Sequence, residues 1–192
     1  SPTSVAAEPT FEAVLNYCKA TRGETVKIPL TSDYRHDLSK MAAACGASTG
    51  MAYVCNPNNP TGTIVNGDEL EAFVRRVPPT CVVLVDEAYH HFVESPNYKS
   101  ALNLSRRYDN VVAARTFSKI YGMAGMRLGY AVASEPNAAL LATHASWDNT
   151  SQSALAMGLA GLADPTVVAE QRTRLNDARR WLCAELERDK RR

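Results

Sequence analysis

Residues 118–130 read Ser-Lys-Ile-Tyr-Gly-Met-Ala-Gly-Met-Arg-Leu-Gly-Tyr. They set one lysine, Lys119, beside the hydroxyl of Ser118 and eight residues ahead of Arg127. Just upstream, residues 110–116 (Asn-Val-Val-Ala-Ala-Arg-Thr) carry β-branched and small apolar side chains with a polar exit, the pattern of a buried strand. Lys119 therefore follows the carboxyl end of a strand, and in open α/β sheets that end borders the crevice where ligands bind. Thr116 and Ser118 add hydroxyl donors, and Arg127 adds a planar fork suited to a phosphate dianion. A lysine near an arginine is, alone, an ordinary solvated pair of charges. The remaining segments decide between the two readings.

Working outward, residues 5–7 predict a short strand ending at Glu8-Pro9. Thr10 is then expected to cap a helix with Phe11, Val14, Leu15 and Cys18 at helical spacing. Residues 25–30 alternate as a strand, and 36–45 read as a helix closed by Gly46. Residues 51–55 form a short apolar strand that must stop at Asn56-Pro57-Asn58-Asn59-Pro60-Thr61-Gly62, which is rich in turn formers. A helix over 67–77 has Leu70, Phe73, Val74 and Val77 on one face and ends at Pro78-Pro79. Residues 81–85 are continuously apolar, which predicts a strand buried on both faces, and the run ends at Asp86. Residues 128–133 predict one more strand before a helix at 136–144. Residues 154–163 and 166–188 read as helices. Strands alternating with helices predict a three-layer α/β/α fold with a mainly parallel sheet. Residues 1–163 form the body of that domain, and 164–192 read as a long connector helix.

The chain has 192 residues and is 45% hydrophobic, enough to bury a core of ordinary size. With 21 basic and 20 acidic residues its formal charge is +1, so no long-range field favours nucleic acid or an anionic membrane. Cys18, Cys45, Cys55, Cys81 and Cys183 are odd in number and scattered. They read as reduced residues of a reducing compartment, so the expected location is the cytoplasm. No apolar run approaches the roughly 18 residues of a membrane span. The first ten residues do not resemble a secretory signal.

Three strands end at polar residues expected to converge on one sheet edge: Asn59 after the 51–55 strand, Asp86 after 81–85, and Lys119 after 110–116. An aspartate closing an apolar strand needs a cationic or N–H partner, and a protonated pyridine nitrogen would serve. Tyr89, three residues on, is placed to meet a phenolate oxygen of the same ring, with Asn59 opposite and Phe11 available to stack on its face. Each feature has a plainer reading. Asp86 alone is a strand-end cap, Tyr89 a half-buried aromatic, residues 56–62 a turn, and Phe11 a core residue. Adjacent His90 and His91 read as loop or rim residues and not as a metal pair.

Taken in order, NPNNPTG (56–62), DEAY (86–89) and TFSKIYGMAGMRLGY (116–130) resemble the fold-type-I pyridoxal-phosphate-dependent aminotransferases, above all the histidinol-phosphate aminotransferase group. The resemblance implies pyridoxal 5'-phosphate as cofactor, a lysine Schiff base at Lys119, and Asp86 on the pyridinium nitrogen. It also implies Tyr89 and Asn59 at the ring oxygen, Thr116, Ser118 and Arg127 at the phosphate, and Phe11 against the ring. The activity implied is transfer of an amino group between an amino acid or amino alcohol phosphate and a 2-oxo acid, by a homodimer. Relatives of this kind are about twice as long, so the chain is expected to be a fragment of the large domain lacking a small domain. Two alternatives share the scaffold: a decarboxylase or lyase of the threonine-phosphate decarboxylase type, and a non-catalytic aminotransferase-like sensor domain.

Overall fold

Runs of β-branched and small apolar residues pair into one six-stranded sheet in the computed structural model, which describes residues 3–145 and 149–189. The strands are β1 (Thr3–Glu8), β2 (Glu24–Pro29), β3 (Thr49–Cys55), β4 (Val82–Asp86), β5 (Val111–Thr116) and β6 (Gly129–Val132). Their order is β2-β1-β3-β4-β5-β6, and only β6 runs antiparallel, against β5. Cys55 pairs with Asp86 and Asp86 with Ala114, so the carboxyl ends of β3, β4 and β5 lie almost level. This register creates the common edge that the candidate residues need.

The helices are α1 (Ala13–Ala20), α2 (Leu38–Ala44), α3 (Gly67–Arg76), α4 (Leu102–Ser105), α5 (Glu135–Thr143), α6 (Gln152–Ala163) and α7 (Pro165–Asp189). Leu38 and Met41 of α2, Leu70, Phe73 and Val74 of α3, and Leu104 of α4 close one sheet face over Val54, Val83, Val85, Val111 and Ala113. Each such side chain stabilises the fold by about 1.5–3 kcal/mol of transfer free energy. On the other face a smaller cluster joins Ala6, Tyr53 and Cys55 to Val14 and Leu15 of α1 and to Leu84. Helices therefore cover both faces, unequally.

Local chemistry sets the helix ends. Asn66 accepts from the Glu69 N–H (2.8 Å) while the Glu69 carboxylate accepts from the Asn66 N–H (3.1 Å), a capping box at the start of α3. Asp68 and Glu69 lie in its first turn and Arg75 and Arg76 in its last, each matching the helix dipole. Val77 is extended before Pro78, which ends the helix.

Three expectations change. Thr10 does not cap α1: Glu12 occupies the N-cap, and Thr10 is buried with its hydroxyl bonded to Asn58. β4 is not buried on both faces, because Val83 and Val85 are fully enclosed while Val82 and Leu84 are only half-buried under the thinner second layer. Helix α2 ends at Ala44 with Cys45 extended, before Gly46 is reached. The last strand, for which the sequence set no direction, returns antiparallel because the 117–128 loop folds back, with the Phe117 N–H donating to the Leu128 carbonyl (3.0 Å). The long terminal helix is present as α7, largely exposed with Asn176 as its buried residue; the expected end of that connector at 190–192 lies outside the described residues. Among the described residues no helix is long and apolar enough to cross a membrane.

Candidate active site

Asp86 closes β4 half-buried, and each of its oxygens takes one protein donor. The Tyr53 hydroxyl donates to Oδ2 (2.9 Å), and the Ala88 N–H donates to Oδ1 (3.0 Å). Tyr53 is fully buried, and burial together with the Asp86 charge raises its pKa, so the phenol stays a proton donor. Cys55, level with Asp86 on β3, is pushed up to about 11 by burial and by the same carboxylate, which keeps its thiol neutral. A carboxylate offers about four lone-pair directions, so Asp86 retains capacity for a ligand N–H.

Lys119 is held outward by its neighbours. Phe117 and Ile120 are buried, which turns the lysine between them to the exposed side. The Lys119 carbonyl accepts from the Gly122 N–H (2.9 Å), closing a turn that needs the positive φ of +67° at Gly122. The Nζ atom lies 5.1 Å from the centroid of the Tyr89 ring, within cation–π range. The structure thus brings Lys119 and Tyr89 together.

Thr116 and Ser118 also meet, with Thr116 Oγ1 accepting from the Ser118 N–H (3.0 Å). Arg127 reaches this region through the chain, since Gly129, two residues on, pairs with Thr116. A side chain at Gly129 would lie 2.8 Å from the Arg115 carbonyl, so this close approach requires glycine. Arg127 itself is exposed, adopts the left-handed conformation (φ 52°) and donates from Nη1 to the Ala124 carbonyl (2.6 Å). Among the described residues no hydrogen bond joins its guanidinium to Thr116 or Ser118. The three predicted phosphate contacts are neighbours whose donors do not yet converge.

Asn59 and Tyr89 line a cavity of about 500 Å³ whose walls include Phe92 and residues Leu175, Asn176 and Arg179 of α7. Neither Asp86 nor Lys119 belongs to that lining. Asn59 makes no side-chain hydrogen bond to protein among the described residues. Its neighbour Asn58 is buried and makes four: its Oδ1 accepts from Thr10 Oγ1 (2.8 Å) and His36 Nε2 (3.0 Å), and its Nδ2 donates to the Pro9 carbonyl (3.2 Å) and Thr61 Oγ1 (2.9 Å). Burial lowers the pKa of His36, so it is a neutral ring donating from Nε2. The hub ties the 56–62 segment to residues 9–10, which brings Phe11, 44% exposed, to the same edge.

Tyr53, Asn58, His36, Glu87 and Arg115 are the participants that local sequence reading missed. The parity of β3 held a signal for one of them, because Tyr53 shares a face with Cys55 and therefore with Asp86. The His90 and His91 rings are tilted against each other with centroids 3.7 Å apart, and both residues are half-buried. Burial first, then nearby positive charge, lowers them to about 3 and about 4. Among the described residues no group of three or more His, Cys, Asp or Glu is placed to hold a metal ion.

A mainly parallel sheet with a lysine, a carboxylate and free amide and phenol groups at its carboxyl edge defines a cofactor-binding α/β domain of the fold-type-I transferase kind. The description "Aminotransferase class I and II" matches residues 4–191, and the chain belongs to that family. It is 40% identical over 167 residues to a histidinol-phosphate aminotransferase of Bacillus velezensis, covering 87% of this chain and 46% of the relative. It is 41% identical over 162 residues to an aromatic amino acid aminotransferase of Streptomyces avermitilis, covering 84% and 43%. The crystal structure of histidinol-phosphate aminotransferase from Sinorhizobium meliloti in complex with pyridoxal-5'-phosphate superposes with a TM-score of 0.88 at 27% identity, covering 94% of this chain and 49% of that one. The chain spans less than half the length of the two sequence relatives.

Proposed function

We propose that this chain carries most of the cofactor-binding machinery of a pyridoxal-phosphate-dependent aminotransferase that moves an amino group between an amino acid or amino alcohol phosphate and a 2-oxo acid. The carrying observation is the Lys119 amine over the Tyr89 ring, beside level strand ends from which Asp86 closes β4 and the segment bearing Asn59 leaves β3. The donor set fits the cofactor: an amine for its aldehyde, a carboxylate with spare acceptor capacity for its ring nitrogen, and hydroxyls with an arginine for its phosphate. When bound, pyridoxal 5'-phosphate supplies a ring that delocalises the electron pair left on a substrate Cα.

The residues do the rest. Lys119 Nζ would hold the aldehyde group of the cofactor and, when free, its amine would carry a proton to and from the substrate Cα. Asp86 would keep the proton on the ring nitrogen, and Tyr53 and the Ala88 N–H hold that carboxylate still. Asn59 and Tyr89 would donate to the ring oxygen, Thr116, Ser118 and Arg127 would bind the phosphate, and Phe11 would pack against the ring. In this reading residues 1–163 are the body of the large domain, and 164–192 lead from it. A homodimer in a reducing, cytoplasmic setting completes the proposal, supported by apolar surface at Leu159 and Leu162 and by five free cysteines.

The test is chemical. With pyridoxal phosphate the protein should gain a visible band that borohydride fixes onto a peptide containing Lys119, and Lys119→Ala should lose both. Adding an amino donor should convert the cofactor to its pyridoxamine form, which a decarboxylase would not do in its normal turnover. A label on another lysine would overturn the assignment.

A further inference from the structure

Glu87 follows Asp86, and Arg115 precedes Thr116. Glu87 is 1% exposed, with Oε1 accepting from the Ala101 N–H (2.6 Å) and the Tyr98 hydroxyl (3.2 Å). Its Oε2 accepts from Ser100 Oγ (2.9 Å) and from Arg115 Nε (3.0 Å) and Nη2 (2.9 Å). Arg115 Nη2 also donates to Ser100 Oγ (2.9 Å). Burial and the Glu87 charge raise the pKa of Tyr98, so its hydroxyl remains a donor, and it reaches the Asn56 carbonyl as well (3.4 Å). The Glu87 N–H meanwhile donates to the Ala114 carbonyl (2.9 Å). One buried carboxylate, just past β4, therefore holds Arg115 of β5 directly and reaches the residue after β3 through Tyr98.

We infer that the Glu87–Arg115 pair is a positioning clamp that fixes the spacing between the ring-nitrogen anchor on Asp86 and the phosphate contacts beginning at Thr116. The inference rests on the functional reading above. Its logic is that of a two-point grip. A ligand that bridges both contacts gains from their preset separation, whereas a ligand using one contact does not. Removing only one charge would leave the other buried without a partner, so the informative comparison also removes both.

The experiment titrates pyridoxal phosphate, pyridoxal and inorganic phosphate against the wild-type protein, Glu87→Gln and Glu87→Gln/Arg115→Gln, with a melting curve for each. Pyridoxal phosphate should bind at least about tenfold more weakly to the double variant, while pyridoxal and inorganic phosphate stay within about twofold of wild type. Pyridoxal phosphate affinity within about twofold of wild type in the double variant would overturn the clamp. So would equal weakening of all three ligands, or failure of both variants to fold, either of which makes the pair a stability element alone. A wild-type protein that does not bind pyridoxal phosphate sinks the functional reading instead, which separates the two failures.

Discussion

Asn58 and Asn59 are adjacent, chemically identical and in opposite situations, so replacing each by alanine separates scaffold from site. Asn58 is 3% exposed and makes four side-chain hydrogen bonds. Its truncation leaves the Nε2–H of His36 and the hydroxyl of Thr10 without this acceptor, both of them buried, and removes a donor from the Pro9 carbonyl. Thr61 is spared because Thr63 lies 2.7 Å from its hydroxyl. The two stranded buried groups cost about 1–3 kcal/mol each, so the sum is about 2–6 kcal/mol. At about 2–4 °C per kcal/mol for a chain of this size, Asn58→Ala should melt about 4–24 °C below wild type. Among the described residues Asn59→Ala removes no side-chain hydrogen bond to protein, and it should stay within about 0.5 kcal/mol. If its carboxamide donates to the ring oxygen of the cofactor, losing a charge-assisted bond of about 1.5–3 kcal/mol should weaken pyridoxal phosphate by about tenfold or more. Thermal melts and absorbance titrations on the two variants read both quantities. A large melting loss in Asn59→Ala, or a normal melt in Asn58→Ala, would refute the division.

Three further outcomes follow from other contacts. Tyr53→Phe deletes the donor to Asp86 Oδ2 and should cost about 1–2 kcal/mol of stability with a severalfold loss of pyridoxal phosphate affinity, measured by urea unfolding and titration; unchanged affinity would show that Asp86 is aimed by other means. His90 and His91, facing Tyr121, Arg115 and Arg172, lie near 3 and 4 when folded against 6.5 as the ordinary value, so the unfolded chain binds more protons between those limits and stability must rise with pH across that window. The melting temperature should fall as pH drops from 7 to 4, and His90→Phe should flatten the slope, whereas an unaltered slope would clear His90. Gly129→Ala forces a methyl within 2.8 Å of the Arg115 carbonyl and should cost about 1–3 kcal/mol in a melting assay; a neutral result would mean that the β5–β6 pairing yields easily.

Strands were legible wherever an apolar run met turn formers, and the level carboxyl ends of β3, β4 and β5 agree with the parallel order expected of them. What escaped was contact between residues distant in sequence. Thr10 fits a helix cap by composition, but a cap must reach the N–H groups of the first turn, and its hydroxyl is taken by Asn58, 48 residues away. Tyr53 looks like a core aromatic until the register of β3 with β4 sets its hydroxyl against Asp86. The half-exposed face of β4 was hidden for a similar reason, since Val82 and Leu84 are as apolar as Val83 and Val85. Only the unequal helix layers distinguish them.

The pair Asp86-Glu87 shows how the fold assigns different work to adjacent acids. Glu87 is directed toward Arg115, Ser100 and Ala101, and five donor contacts fill its two oxygens. A carboxylate so filled has about no lone pair left for a ligand, and its burial is tolerable because it is paired. Asp86 has two protein donors, Tyr53 and the Ala88 N–H, and belongs to the face that the smaller cluster covers. It is the acid with acceptor capacity to offer and an approach from which to offer it. The number of protein donors around each carboxylate, which no reading of DEAY as a string contains, therefore supports the proposal that Asp86 meets the ligand while Glu87 holds the frame.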